Sequence, residues 1–205
     1  MFKPFIFALS ASALLLTACS AQSNADTSAG SYADALPTLT GDYVWTVDPD
    51  KSTLKFEADY NGVFTADFTR FAAAINLNPD APEAGEIHAV VDLSSLSAID
   101  KDVKNNLPTP AWFDIKAHPV ATFKSDDISK TAPGAFSAAG TMTLKGISNP
   151  AVLTFDLETT DDSAVADGRF TINRTDYNVG AGSDFKDESW VKFPVKISMH
   201  IEASR

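Results

Sequence analysis

Between Val191 and Glu202 apolar and polar side chains alternate, with Pro194 the exception on the polar face. Val191, Phe193, Val195, Ile197, Met199 and Ile201 face one way; Lys192, Lys196, Ser198, His200 and Glu202 face the other. Successive side chains of an extended chain point to opposite faces, so such a run is a strand with one greasy side. The pattern recurs along the chain. Leu54, Phe56 and Ala58 alternate with Thr53, Lys55 and Glu57, and Phe71, Ala73, Ile75 and Leu77 share a face. Ile87, Ala89, Val91 and Leu93 oppose Glu86, His88, Val90 and Asp92. Phe136, Ala138, Gly140, Met142 and Leu144 oppose Ser137, Thr141, Thr143 and Lys145, and Leu153, Phe155 and Leu157 oppose Thr154, Asp156 and Glu158. Val165, Phe170 and Ile172 fall in a further run, in which Gly168 suggests a turn or bulge.

Turn formers separate the runs: Asn61-Gly62, Asn78-Pro79-Asp80, Ala132-Pro133-Gly134, Lys145 to Pro150 and Asp167-Gly168. Only 97–119 breaks period two. Asp100 is placed to cap a short helix ending near Leu107, limited by Pro108 and Pro110 and followed by Trp112-Phe113. This excursion is expected to lie over one end of the fold. About eight antiparallel strands, each with one apolar face, pack as a sandwich or close into a barrel. Long strands favour the barrel, because closure leaves no exposed edge.

The amino terminus sets the expected compartment. Lys3 precedes an apolar run from Phe5 to Leu16, too short for the ~20 residues that span a bilayer and typical of a signal peptide. It ends in Leu16-Thr17-Ala18-Cys19, which resembles a bacterial lipobox; the alternative is an ordinary secretory peptide with a chance cysteine. Cys19 is the sole cysteine in the chain. Lipidation there would remove it from redox and metal chemistry and supply several acyl tails, enough for stable anchoring. Ser20 in the next position favours the outer membrane over the inner. The expected organisation is a signal peptide over 1–18, a lipidated cysteine and flexible tether over 19–40, rich in small polar residues, and one domain over 41–205.

The net charge of −11 becomes −12 once Lys3 is removed with residues 1–18. So acidic a chain repels phosphate backbones, and it has no basic stripe interleaved with aromatics, which argues against nucleic acid. No catalytic constellation emerges. His88, His118 and His200 lack metal-pair spacing, and there is no Gly-x-Ser-x-Gly elbow. Gly180-Ala181-Gly182 lacks the strand-before, helix-after context of a dinucleotide loop. Asp126-Asp127 and Asp161-Asp162 read as turn pairs. A non-enzyme without metal or cofactor is expected.

Several short motifs, in order and similarly spaced, resemble the YceI-like family. These are Trp45-x-x-Asp48-x-x-x-Ser52 with Phe56; Phe68 and Phe71; Asp92-Leu93-Ser94-Ser95-Leu96; and Leu107 with Trp112-Phe113-Asp114. Further on come Pro119-x-Ala121-Thr122-Phe123, Gly140-x-Met142-x-Leu144-x-Gly146-x-x-x-Pro150-x-x-Leu153 and Arg174-x-Asp176-Tyr177-x-Val179-Gly180. The resemblance covers nearly all of 43–205. It implies an all-β, eight-stranded, lipocalin-like antiparallel barrel with a short helical excursion near 100–114. It also implies binding of a polyisoprenoid chain, of quinone or polyprenyl type, inside that barrel. Where many members carry histidine, before the opening serine and in the first hairpin, this chain has Lys51 and the Asp59-Tyr60 region.

On this reading the candidate lining residues are Phe56, Phe68, Ile75, Val91, Phe123, Met142, Leu144, Phe155, Phe170, Ile172, Val195 and Ile197. The plainer alternative for each is core filling. Arg174 shares the face of Phe170 and Ile172 if the strand stays regular. Two roles are open to it: contact with a quinone carbonyl or pyrophosphate headgroup, or a structural pair with Asp176, Asp48 or another carboxylate. The partners to expect are the isoprenoid lipid, the membrane through the lipid anchor, a b-type cytochrome or other quinone-dependent protein, and a second copy in a homodimer. A protein-interaction module with a filled barrel is the competing functional reading.

Overall fold

A computed structural model describes residues 32–182 and 184–205. The signal peptide, Cys19 and most of the expected tether lie outside the described residues.

The strands are β1 (Val44–Val47), β2 (Thr53–Asp59), β3 (Val63–Phe68), β4 (Phe71–Asn76), β5 (Glu86–Asp92), β6 (Leu96–Ser97), β7 (Val120–Ala132), β8 (Ala135–Leu144), β9 (Ile147–Thr159), β10 (Ser163–Asn173) and β11 (Pro194–Ser204). One short helix, α1 (Lys101–Asn106), interrupts them. Every pairing is antiparallel, and the ladder closes because β11 pairs with both β1 and β2. β1 and β2 are two halves of one bent stave, β3 and β4 of a second, and β5 with β6 of a third. With β7 to β11 the result is a closed eight-stranded barrel in meander order.

The bends sit where the sequence motifs are. Between β1 and β2 the ladder is kept up by Asp48, whose N–H donates to the Glu202 carbonyl at 2.8 Å. Ser52 Oγ accepts from the Glu202 N–H at 3.0 Å. Trp45 turns inward and its Nε1 donates to the Leu77 carbonyl at 3.0 Å, tying β1 to the end of β4. At the β5–β6 corner the Asp92 carboxylate accepts from Ser94 N–H at 2.8 Å, Ser94 Oγ at 2.6 Å and Arg70 Nε at 2.9 Å. Burial alone would raise the Asp92 carboxyl; those bonds outweigh it and hold it below its ordinary value. Gly140 is required by the neighbouring bulge between Ser125 and Asp127, because a Cβ there would collide with the Lys124 carbonyl oxygen.

α1 forms where capping predicts it. The Asp100 side chain accepts from the N–H groups of Asp102 and Val103. Val103 and Leu107 are buried, and Phe113 packs 6.3 Å from both Phe56 and Phe68, so the excursion lies over one barrel end.

Several local expectations give way to the ladder. Gly168 makes no turn: β10 runs in unbroken register with β11 from Ser163 to Asn173. Strand parity then sends Val165 outward and Ala164, Ala166, Gly168, Phe170 and Ile172 inward. The six-residue turn at 145–150 shrinks to Lys145-Gly146, both at positive φ, with Ile147 to Pro150 paired in β9. Asp126-Asp127 is a bulge in β7 and not a turn. Val191 and Phe193 precede β11, Val191 making only an isolated bridge to Tyr60.

Candidate functional site: an apolar cavity inside the barrel

The inward faces of the staves do not meet. They enclose a cavity of about 400 Å³, within the range of small-molecule sites, ~300–1,000 Å³. All twelve residues named from the sequence border it: Phe56, Phe68, Ile75, Val91, Phe123, Met142, Leu144, Phe155, Phe170, Ile172, Val195 and Ile197. They divide by burial. Phe56, Phe123, Met142, Leu144, Phe155 and Ile172 are buried and also build the core, whereas Phe68, Ile75, Val91, Phe170, Val195 and Ile197 keep accessible surface although they point inward. Inward apolar side chains remain accessible only where no neighbour fills the space in front of them.

Small residues create that space. Ala73 on β4, Ala89 on β5, Ala121 on β7 and Ala164, Ala166 and Gly168 on β10 all border the cavity. β5 and β10 stand four staves apart in a ring of eight, so alanines border the cavity from opposite sides of the barrel. These residues were missed by a search for bulky apolar side chains; the available signal was alanine at inward parity.

The cavity runs from a floor at Trp45, Leu77 and Phe155 to a mouth beside Tyr60, Asp102, Asn106, Trp112 and Phe185. The floor residues are buried, while Tyr60, Asp102 and Asn106 are exposed. The mouth is framed by α1, by the β2–β3 turn and by the loop 178–193. Tyr60, Val63, Ile99 and Trp190, four of the five exposed large apolar side chains among the described residues, lie in these segments or just beside their ends.

Arg174 organises the rim. β10 ends at Asn173 and Arg174 opens a 3-10 turn, yet its side chain still enters the interior and is only 2% exposed. Its Nε donates to the Lys192 carbonyl and Nη1 to those of Val179 and Gly180. Nη2 reaches the carbonyls of Phe185, Asp187 and Val191, the six distances lying between 2.6 and 3.2 Å. The guanidinium also lies over the rings of Phe193 at 5.5 Å and Trp112 at 6.0 Å. Burial pushes its pKa below the ordinary value, opposed by the carboxylates of Glu188 and Asp187. The expected structural pair with a carboxylate therefore gives way. The donors engage the carbonyls of one loop, which a five-donor fork can gather and a point charge cannot. Gly180 completes the closure: at φ +62 its N–H reaches the Ala111 carbonyl at 2.8 Å, and a Cβ would strike Trp112 and Arg174.

The remaining polar candidates lie elsewhere. Lys51 is exposed and pairs with Asp48 and Glu202 near the floor end. His88 pairs with Glu86, and His200 with Asp167. Hydrogen bonding to Asp167 raises the His200 pKa. The His118 ring lies against Gly146. Among the described residues no three His, Cys, Asp or Glu side chains gather as metal ligands, and no helix is long and apolar enough to cross a membrane.

Comparison with known proteins agrees with this geometry. BcnA of Burkholderia cenocepacia is 27% identical with a TM-score of 0.72, over 76% of this chain and 98% of its own. A polyisoprenoid binding domain from Saccharophagus degradans shares the fold at 16% identity and TM-score 0.59, over 78% of this chain and 97% of its own. A UPF0312 protein of Azotobacter vinelandii is 20% identical over 117 residues, 56% of this chain and 61% of that protein's length. The family described as the YceI-like domain matches residues 45–203, from the Trp45 that seals the floor to the end of the last stave, and the chain belongs to that family.

Proposed function

We propose that the barrel binds the tail of a long isoprenoid lipid, of quinone or polyprenyl type, and stores or carries it at the bacterial envelope. The observation that carries this reading is the cavity: a slot about 400 Å³ in volume, walled by apolar side chains and open at one end. The polyisoprenoid binding described for the Saccharophagus degradans relative supports the same ligand class. Binding is the activity proposed, with no catalytic step. The lipobox-like Leu16 to Cys19 supports an anchor on the periplasmic face, the outer membrane being favoured by Ser20.

Energetics favour a long ligand. Burial gives ~0.8 kcal/mol per CH₂, hence on the order of 4 kcal/mol gross per five-carbon unit. Association costs ~4–15 kcal/mol, so one or two units bind poorly and longer tails gain with each unit. Titrating the purified domain with geraniol, farnesol and geranylgeraniol tests this. Affinity should rise about tenfold or more with each unit; a flat series would overturn the reading.

A second reading, an anchored interaction module, draws on the exposed rim side chains Tyr60, Val63, Ile99 and Trp190. It needs no ligand in the barrel, and the same titration separates the two.

A further inference from the structure

We infer that Asp102, at the cavity mouth, acts as a charge filter, admitting isoprenoids with a neutral head and turning away those that end in phosphate or diphosphate. The inference rests on the lipid-binding reading and deepens it to the chemistry of the head.

A lipid enters this barrel tail first. Among the described residues no buried side-chain nitrogen or oxygen lacks a hydrogen-bond partner, so the interior offers nothing unmet for a polar head to satisfy. The head therefore stays at the mouth. Among the described residues three charged ones border the cavity: Lys55, Asp102 and Arg174. Lys55 is on the outer parity of β2, opposite Asp67, with its ammonium 3.9 Å from that carboxylate. Arg174 has its donors on six carbonyls and the carboxylates of Glu188 and Asp187 close enough to act on it. A phosphate would have to break that set to be bound. Asp102 remains. Val103 anchors α1 inward, Asp102 and Asn106 border the opening one turn apart, and Lys101 and Lys104 do not border it. On this reading the charge that faces an arriving head is the Asp102 carboxylate, with Asn106 beside it neutral.

A neutral carbonyl or hydroxyl is indifferent to that carboxylate. A diphosphate meets like charge at the mouth, a repulsion that salt screens.

Geranylgeraniol and geranylgeranyl diphosphate carry the same tail and differ only in the head, so their affinity ratio isolates the filter. The purified domain should bind the alcohol at least about tenfold more tightly at low salt, with the gap narrowing as salt is added. Asp102→Asn should narrow the ratio by about tenfold. Diphosphate binding as tight as the alcohol, or a ratio unmoved by Asp102→Asn, overturns the filter and leaves the cavity reading standing. Failure of both lipids to bind overturns the cavity reading and the filter with it.

Discussion

An Arg174→Met variant loses about 3–5 kcal/mol of stability, seen as a fall in the urea midpoint with little change in slope. The side chain is of similar length and still fills the space, so the loss is not a cavity effect. It comes from carbonyls of Val179, Gly180, Phe185, Asp187, Val191 and Lys192 that all converge on one guanidinium. Buried acceptors left without donors cost ~1–3 kcal/mol each when water cannot reach them. Water will reach some of them at the rim, which is why the expected loss is below the sum. Arg174→Lys should recover little, since one ammonium cannot span six acceptors. A loss under about 1 kcal/mol would show that the loop 178–193 holds itself.

Filling the void abolishes binding without unfolding the barrel. Ala89 and Ala166 face the cavity from staves on opposite sides, and both keep accessible surface. The double variant Ala89→Phe/Ala166→Phe puts two rings into the space a tail would occupy. Overpacking a filled core costs ~1–3 kcal/mol; here the rings enter empty volume, so the cost should sit at or below the low end. Geranylgeraniol affinity should drop about 100-fold or more, the equivalent of ~2.7 kcal/mol. Val165→Phe, on the outward face of the same β10, is the control and should bind as the parent does. Retained binding in the double variant would place the lipid outside the barrel.

Much of the fold was legible because a strand needs only alternation, and β8 and β11 alternate along their length while β9 does so from Leu153 to Glu158. The helix was legible because Asp100 is a local cap whose chemistry does not depend on the rest of the chain. The misread turns share one cause. Gly168 and Asp126-Asp127 carry turn chemistry in a local sense, but ladders with β9 and β11 hold Gly168 in its strand and the ladder with β8 holds Asp126-Asp127. Gly168 serves instead to make room for Met199 and Leu153.

The site divides in the same way. Alternation identified which side chains point inward, and all twelve chosen residues border the cavity. It could not identify the cavity itself, because empty volume arises only when small residues on distant staves border one interior, and that is a property of stave order rather than of any one segment. The role of Arg174 was out of reach for a related reason. Its acceptors are backbone carbonyls as far on as Lys192, and carbonyls carry no side-chain signature.

The central claim is that the space between Ala89 and Ala166 holds a hydrocarbon tail. Native mass spectrometry of the domain, purified without detergent from cells that make isoprenoids, tests it most directly. The account expects a mass excess equal to one prenyl lipid per barrel, lost in the Ala89→Phe/Ala166→Phe variant. The bare polypeptide mass, unchanged after incubation with excess geranylgeraniol, would contradict it.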